Sequence, residues 1–269
     1  MKRILREDAF LGETHIVTGS GQGIGLAVAS LLARHGAQVA LVDLDADRLN
    51  EAQAEISDPS APTPLVVPTD VRHESEVQKA VSAVLEATGC INGVVNVAGV
   101  TRDARIAKKS FDDFKFVMAV HVHGTFLFTR EIASQHWHPL FKKNDNRPLR
   151  DGLNRFVVNF SSVSARSGNI GQIDYTAAKG AIESMTKTTA LEFAGYGVRA
   201  NAVAPGPVRT PMLAKVPDEG IAAMERSTLL GRLCEPEQMA ATVAGIIDPM
   251  LSGFTTGQIF AANGGMYLD

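Results

Sequence analysis

Thr18-Gly19-Ser20-Gly21-Gln22-Gly23-Ile24-Gly25 follows a short apolar run at 14–19 and leads directly into Leu26-Ala27-Val28-Ala29. Glycines at this spacing let the chain turn tightly and bring backbone N–H groups close to an anion. The helix that follows would point its positive end at the same place. A glycine-rich turn alone is weak evidence, because any tight strand–helix connection can use glycine. Its context strengthens it: strand, turn, helix, then a second apolar strand, Val39-Ala40-Leu41-Val42, that ends in Asp43. A carboxylate there can accept hydrogen bonds from both hydroxyls of an adenosine ribose, and would repel a 2′-phosphate. The expectation is a dinucleotide site that takes NAD in preference to NADP, with Gly19, Gln22, Gly23, Ile24, Gly25 and Asp43 as contacts. Ser20, Gln22 and Leu44 offer no cation to a 2′-phosphate. A plainer reading of Asp43 is a cap for the next helix, a task Asp45 could also perform.

The same strand–helix rhythm continues along the chain. Residues 14–19, 38–43, 65–70, 93–98, 156–161, 199–204 and 258–262 read as strands, most of them apolar at successive positions. That pattern suits strands covered on both faces, as in a parallel sheet. Residues 25–36, 45–56, 74–88, 111–136, 175–196 and 236–250 carry helical periodicity and supply the crossovers that parallel strands need. No compositional break divides the chain. The expected fold is α/β: a single doubly wound domain over residues 1–269, with a mostly or wholly parallel seven-stranded sheet. Two segments interrupt the rhythm. Residues 140–154, polar and containing Pro148 and Gly152, read as an inserted surface loop. Residues 208–233, with Pro211, Pro217 and Gly220 around a short amphipathic stretch, read as a lid.

Bulk properties narrow the function classes. The 269 residues are 45% hydrophobic and 20% charged, with a net charge of −3 and an isoelectric point near 6.2. No broad basic field would attract nucleic acid or an anionic membrane, and no segment is long and apolar enough to span a bilayer. Residues 1–11 mix Lys2, Arg3 and Arg6 with Glu7 and Asp8 and lack the apolar run of a secretory signal, so a cytoplasmic enzyme is expected. Two cysteines, Cys90 and Cys234, have no partner at metal-ligand spacing. His136 and His138 flank Trp137 on different faces of a helix, and no carboxylate or cysteine completes a metal site there. Cys90 reads as a small buried hydrophobe.

The chemistry-bearing residues come later. Tyr175 and Lys179 lie four apart on a helix and so share a face. A tyrosine with a free pKa near ~10 is a poor acid–base at neutral pH unless its phenolate is stabilised, which a neighbouring ammonium does. Ser162, at the end of the preceding strand, could donate to a substrate carbonyl oxygen. A Tyr-x-x-x-Lys pair is common by chance. Its weight here comes from following the phosphate loop and a Ser-ending strand in that order.

Taken together, Thr18–Gly25, Asp70-Val71, Asn96-Val97-Ala98-Gly99, Ser161-Ser162, Tyr175–Lys179, Asn201–Pro211 and Thr256-Gly257-Gln258 resemble the short-chain dehydrogenase/reductase family over nearly the whole chain. The resemblance implies a Rossmann-type fold, hydride transfer at nicotinamide C4, Tyr175 as acid–base, Lys179 on a cofactor ribose, and a homotetramer. It places Asp70 and Val71 beside adenine, and Asn96, Ala98 and Gly99 along the cofactor and the sheet. It places Pro205, Gly206, Val208 and Thr210 at the nicotinamide end. Two positions depart from the pattern. Val97 stands where many relatives have a second asparagine. His121, in Val120-His121-Val122-His123-Gly124, stands where relatives commonly have an asparagine whose helix distortion orders a water in the proton relay to lysine. His121 is therefore expected as a fourth catalytic group, with an extra ionisation between mild acid and neutral pH; the alternative is a buried histidine bonded to a backbone carbonyl.

Gly168–Tyr175 and Gly99–Asp103 resemble the corresponding stretches of 3-oxoacyl-carrier-protein reductases and 3-hydroxyacyl-CoA dehydrogenases. Gly195-Tyr196-Gly197 carries no basic residue where bacterial carrier-protein reductases often have one, which leaves CoA thioesters at least as plausible as carrier-protein ones. Met212, Leu213, Val216, Ile221 and Met224 supply an apolar wall for an acyl chain; a steroid, terpenoid alcohol or dihydrodiol would use the same wall. Two readings compete with the thioester enzyme: a dehydrogenase of those other alcohols, and a catalytically silent nucleotide-binding sensor. The retention of Ser162, Tyr175 and Lys179 speaks against the second.

Overall fold

A computed structural model describes residues 5–56, 61–214 and 216–268; Lys2 and Arg3 lie outside them. Seven strands form one sheet: β1 (Thr14–Thr18), β2 (Gln38–Asp43), β3 (Leu65–Pro68), β4 (Gly93–Asn96), β5 (Arg155–Phe160), β6 (Val198–Val203) and β7 (Ile259–Phe260). Their order is β3-β2-β1-β4-β5-β6-β7 and every pairing is parallel. Because successive side chains of a strand point to opposite faces, the strand residues divide between two cores. Val17, Val95, Val158 and Val203 face one side, against Val28, Leu32, Val243 and Ile247. Ile16, Val94, Val157 and Ala200 face the other, against Val81, Phe128, Ile132 and Trp137. Strands apolar at successive positions are thus explained by two covered faces.

The first core is covered by α1 (Gly23–Arg34), α2 (Ala46–Ile56) and, later in the chain, α10; the second by α3 (Glu74–Thr88) and a long helical rod. The rod runs from Phe111 to Lys143 as α4 (Phe111–Met118), α5 (Gly124–Ile132) and α6 (His138–Lys143), joined by π-helical stretches at Ala119–His123 and Ala133–Trp137. It outruns the expected helix of 111–136, so the polar insertion starts after Lys143 and not at Leu140. Phe141 is the reason, since its ring packs on Tyr196 at 5.3 Å and keeps the last turn wound. His138 sits within the rod with Nδ1 3.0 Å from the Tyr196 hydroxyl. After α7 (Ser164–Ser167) and α8 (Ile173–Phe193), the lid contains a 3₁₀ turn at Pro211–Leu213 and α9 (Asp218–Arg226). Helix α10 (Pro236–Ile247) opens with a Glu235–Gln238 capping box and stops short of the expected Met250. Asp248 is extended there, as residues before proline tend to be, and Pro249 starts the separate turn α11 (Pro249–Ser252). Cys90 is only partly buried.

The order of strands reverses between β1 and β4, which opens a crevice above their carboxyl ends. Thr18 closes the floor of that crevice: its Oγ1 accepts hydrogen bonds from Val97 N and Ala98 N, both at 3.1 Å.

Candidate active site

The crevice begins at the glycine-rich turn. Gly19 has φ +68°, and a Cβ on it would lie 2.9 Å from the Ala98 backbone. Gly25, inside α1, could not carry one at all, since it would meet the Gly19 carbonyl oxygen at 2.0 Å. The turn therefore lies flat on the β4 exit and on the helix start, leaving backbone open toward the crevice. Gln22 makes no side-chain cap to α1, and the first turn carries no acidic residue. The first N–H groups of a helix have no partner within it, so this end suits a pyrophosphate. Asp43 is held in place beside the turn, accepting from Leu44 N at 2.8 Å and Gly21 N at 3.1 Å. These residues fit a dinucleotide.

One cavity of about 520 Å³ extends from this turn to the lid. Gly19, Gln22, Gly23, Ile24, Gly25, Asp43, Asp70, Val71, Ala98, Gly99, Pro205, Gly206, Val208 and Thr210 all line it, as do Ser162, Tyr175, Lys179 and His121. Asn96 does not. It is buried beneath the floor, donating to Asn159 Oδ1 at 2.9 Å, and Asn159 donates in turn to Thr186 Oγ1 at 2.9 Å. Of its two expected roles, only bracing the sheet has contacts in the structure. Asp70 is gripped by Arg72, whose Nε lies 2.9 and 3.0 Å from its two oxygens, and this holds the carboxyl below its usual range.

Sequence reasoning missed Arg48, Phe116 and Met266 on the cavity wall. Arg48 is a cation near Asp43, five residues past it, where one turn of α2 brings it back to the crevice. Its guanidinium is drawn to Asp45, Nε to Oδ2 being 3.3 Å. Helical spacing is the signal that could have exposed it.

The reactive end is assembled by β5 and α8. Ser162 follows β5, its hydroxyl accepting from Ser164 N at 3.1 Å and lowering the Tyr175 phenol against the effect of burial. Lys179, one turn further along α8, lies with Nζ 5.4 Å from the centre of the Tyr175 ring and donates to the Phe160 carbonyl at 2.6 Å. Burial pushes the Tyr175 phenol up, partly offset by Ser162, and pushes Lys179 down to about 7. His121 comes from the first π-helical stretch, its ring 5.2 Å from that of Tyr175 and edge-on to it. Burial, reinforced by the Lys179 charge, pushes His121 down to about 3. The expected ionisation between mild acid and neutrality is therefore displaced: the imidazole is neutral throughout that range. Nε2 lies 2.8 Å from the Val100 carbonyl oxygen and 3.1 Å from Val100 N, so both backbone groups of Val100 anchor the ring by this nitrogen. Nδ1 is buried with no hydrogen-bond partner among the described residues.

The far wall is apolar. Met212, Leu213 and Met224 of the lid line it, whereas Val216 and Ile221, expected beside them, are not among the lining residues. The lid is fastened at its base, where Val208 and Cys234 form a parallel bridge and Arg209 N donates to the Cys234 carbonyl at 2.8 Å.

A phosphate cradle, a carboxylate at the end of β2 and a Ser–Tyr–Lys group over one crevice form a combination that comparison with known proteins resolves. The family model described as enoyl-(acyl carrier protein) reductase matches residues 19–267. The chain belongs to the short-chain dehydrogenase/reductase family. It is an NAD(P)-dependent oxidoreductase of that family. It is 33% identical to the 3-oxoacyl-[acyl-carrier-protein] reductase FabG of Thermotoga maritima, over 96% of this chain and 98% of that one. It is 32% identical to the human (3R)-3-hydroxyacyl-CoA dehydrogenase, over 94% and 95% of the two chains. The crystal structure of 3-ketoacyl-(acyl-carrier-protein) reductase from Brucella melitensis complexed with NADH superimposes with a TM-score of 0.84 at 29% identity, covering 96% of this chain and 100% of that one. Among the described residues of this short-chain dehydrogenase/reductase, no helix is long and apolar enough to cross a membrane.

Proposed function

We propose that the protein interconverts a 3-hydroxyacyl and a 3-oxoacyl thioester with NAD(H), Tyr175 serving as the acid–base. The observation that carries this reading is the convergence of Ser162, Tyr175 and Lys179 on one cavity that reaches Asp43. When bound, the nicotinamide accepts or donates the hydride. Ser162 hydrogen-bonds the substrate oxygen, and Tyr175 takes its proton during oxidation and returns it during reduction. Burial alone opposes the phenolate, so Tyr175 depends on positive charge nearby, and Lys179 is the nearest source on its own helix. His121 joins the path as a neutral imidazole, its unpartnered Nδ1 taking the place of an asparagine side-chain amide.

Asp43 favours NAD, and the pairing of Arg48 with Asp45 keeps the nearby cation from serving a 2′-phosphate. Two relatives of similar identity act, by name, on carrier-protein and CoA thioesters. The apolar wall of Met212, Leu213 and Met224 suits the acyl chain of either, and the absence of a basic residue at Gly195-Tyr196-Gly197 favours CoA. The rod and α8 also leave Phe126 and Leu191 exposed at 48% and 81%. We assign these faces to contacts within a homotetramer, which light scattering would check.

The test is to mix the protein with NAD and racemic short-chain 3-hydroxyacyl-CoA and follow reduced nicotinamide by absorbance. Parallel reactions hold NADP or a simple secondary alcohol. Rapid reduction of NAD with the thioester is expected. Turnover confined to the simple alcohol would reject the thioester and retain the Ser162–Tyr175–Lys179 assignment.

A further inference from the structure

Lys109 is a lysine that the motifs above leave out, and it is almost entirely inside the protein. Its side chain is 4% exposed and that of its partner, Asp174, 1%, with Nζ 2.8 Å from Asp174 Oδ2. A buried ammonium needs a charge partner and hydrogen bonds, and a pair of this kind is seldom retained for stability alone, since apolar residues of the same volume would often serve as well. What the pair joins is informative. Asp174 immediately precedes Tyr175, and its other oxygen accepts from Tyr175 N at 2.9 Å. Lys109 Nζ also donates to the Arg102 carbonyl. Two further bonds run the same way: Ala104 N to the Gly171 carbonyl at 3.0 Å, and Gln172 Nε2 to Asp103 Oδ1 at 3.1 Å. The loop that starts at Val100 and Thr101 on the cavity wall is thus stitched to the first turn of α8.

We propose that Lys109 is a positioning residue: through Asp174 and the Arg102 carbonyl it fixes Tyr175 relative to the substrate-facing loop, and it cancels the carboxylate charge next to the reacting phenol. The proposal rests on Tyr175 being the acid–base. The groups facing that phenol are Ser162 from the β5 exit, His121 from the rod, Asp103 from the loop and Lys179 from α8; Asp174 meets Tyr175 at its backbone N–H. Asp103 opposes phenolate, and the carboxylate of the adjoining Asp174 is the one that Lys109 neutralises.

The experiment compares wild type, Lys109→Arg, Lys109→Met and Lys109→Met/Asp174→Asn in two ways. The first is the pH profile of alcohol oxidation. Lys109→Met is expected to lower kcat by about 10- to 100-fold with KM changed by less than about threefold, the signature of lost transition-state positioning. Its acid limb should move up by about one pH unit as Asp174 is left uncompensated. The double variant should bring the limb back, and Lys109→Arg should recover part of kcat. The second is amide hydrogen exchange in the free protein, which needs no substrate. Exchange at Ala104 and Tyr175 should accelerate in Lys109→Met while the amides of β4 and β5 keep their protection. A pH profile superimposable on wild type, a limb that stays shifted in the double variant, or unchanged exchange at Ala104 and Tyr175 would each overturn the proposal. Wild-type silence with every alcohol would count against the assigned reaction, and the exchange measurement would still decide whether Lys109 holds the loop to α8.

Discussion

At the crevice over β1 and β4, the surface open to a ligand is backbone: Gly25 lies against Gly19, and Gly19 against Ala98, with no room for a side chain. At the opposite end of the same cavity, the surface is side chain: Met212, Leu213 and Met224 from the lid, Phe116 from the rod, and Met266 near the carboxyl end. The first region comes from one contiguous turn plus one strand end. The second gathers residues more than 100 positions apart, and much of it is exposed, Met212 to 53%. A ligand shared by many enzymes can be held by backbone geometry that tolerates no variation. A ligand particular to one enzyme is read by side chains that can change without disturbing the fold.

Four measurements would break or sharpen this contrast. Tyr175→Phe should have the largest effect, lowering kcat by about 10³-fold while leaving NADH binding, followed by nicotinamide fluorescence, near wild type. An intact kcat would remove the chemistry from the boundary between the two regions. Gly25→Ala should come next. A methyl group 2.0 Å from a carbonyl oxygen forces the turn apart at a cost of about 1–3 kcal/mol, so NADH affinity should fall by about 10- to 100-fold, with thermal unfolding as a check on the fold. Unchanged affinity would show that the backbone cradle is not what holds the dinucleotide.

Asp43→Ser should move the NAD-to-NADP ratio of kcat/KM toward NADP by about 10-fold, since a repulsive charge is removed and no attractive one is added. A constant ratio would transfer the preference to another residue, Arg48 first. The smallest effect at neutral pH is expected from His121→Asn, whose signature emerges on acidification. The folded pKa of His121, about 3, lies below the ordinary value of 6.5, so between these values the unfolded chain binds a proton that the folded protein does not. Wild-type stability therefore rises with pH through that window and is lost as pH falls from 6.5 toward 3, with a slope of up to about 1.4 kcal/mol per pH unit. The variant lacks this contribution, so the stability difference read from denaturant midpoints should be constant above neutral pH and shift against the wild type on acidification. Parallel curves would mean that the imidazole is not buried in its neutral form.

The strands and their parallel pairing were legible because two-sided burial imposes an apolar residue at each strand position, and β2 and α3 matched their expected bounds. Helix ends were less legible. The rod outran its expected end because Phe141 packs on Tyr196, a contact between positions 55 residues apart that no local pattern carries. The site divides in the same way. Gly19, Asp43, Ser162, Tyr175 and Lys179 belong to short motifs with fixed spacing. Arg48 reaches the crevice by helical geometry, and Lys109 reaches Asp174 across 65 positions.

His121 illustrates the limit most clearly. Its identity as a departure from the family pattern was written in the chain, yet its protonation was not, because desolvation and the distance to Lys179 exist only once the rod has packed against α8. Read in one dimension, the residues specified a parallel α/β sheet, a phosphate turn, a ribose carboxylate and a Ser–Tyr–Lys group, since each of these rests on local periodicity or spacing. Folding in three dimensions settled which polar groups are dry, which charges are paired and which lid side chains face the cavity, because burial and Coulomb interaction depend on distance through space and not along the chain.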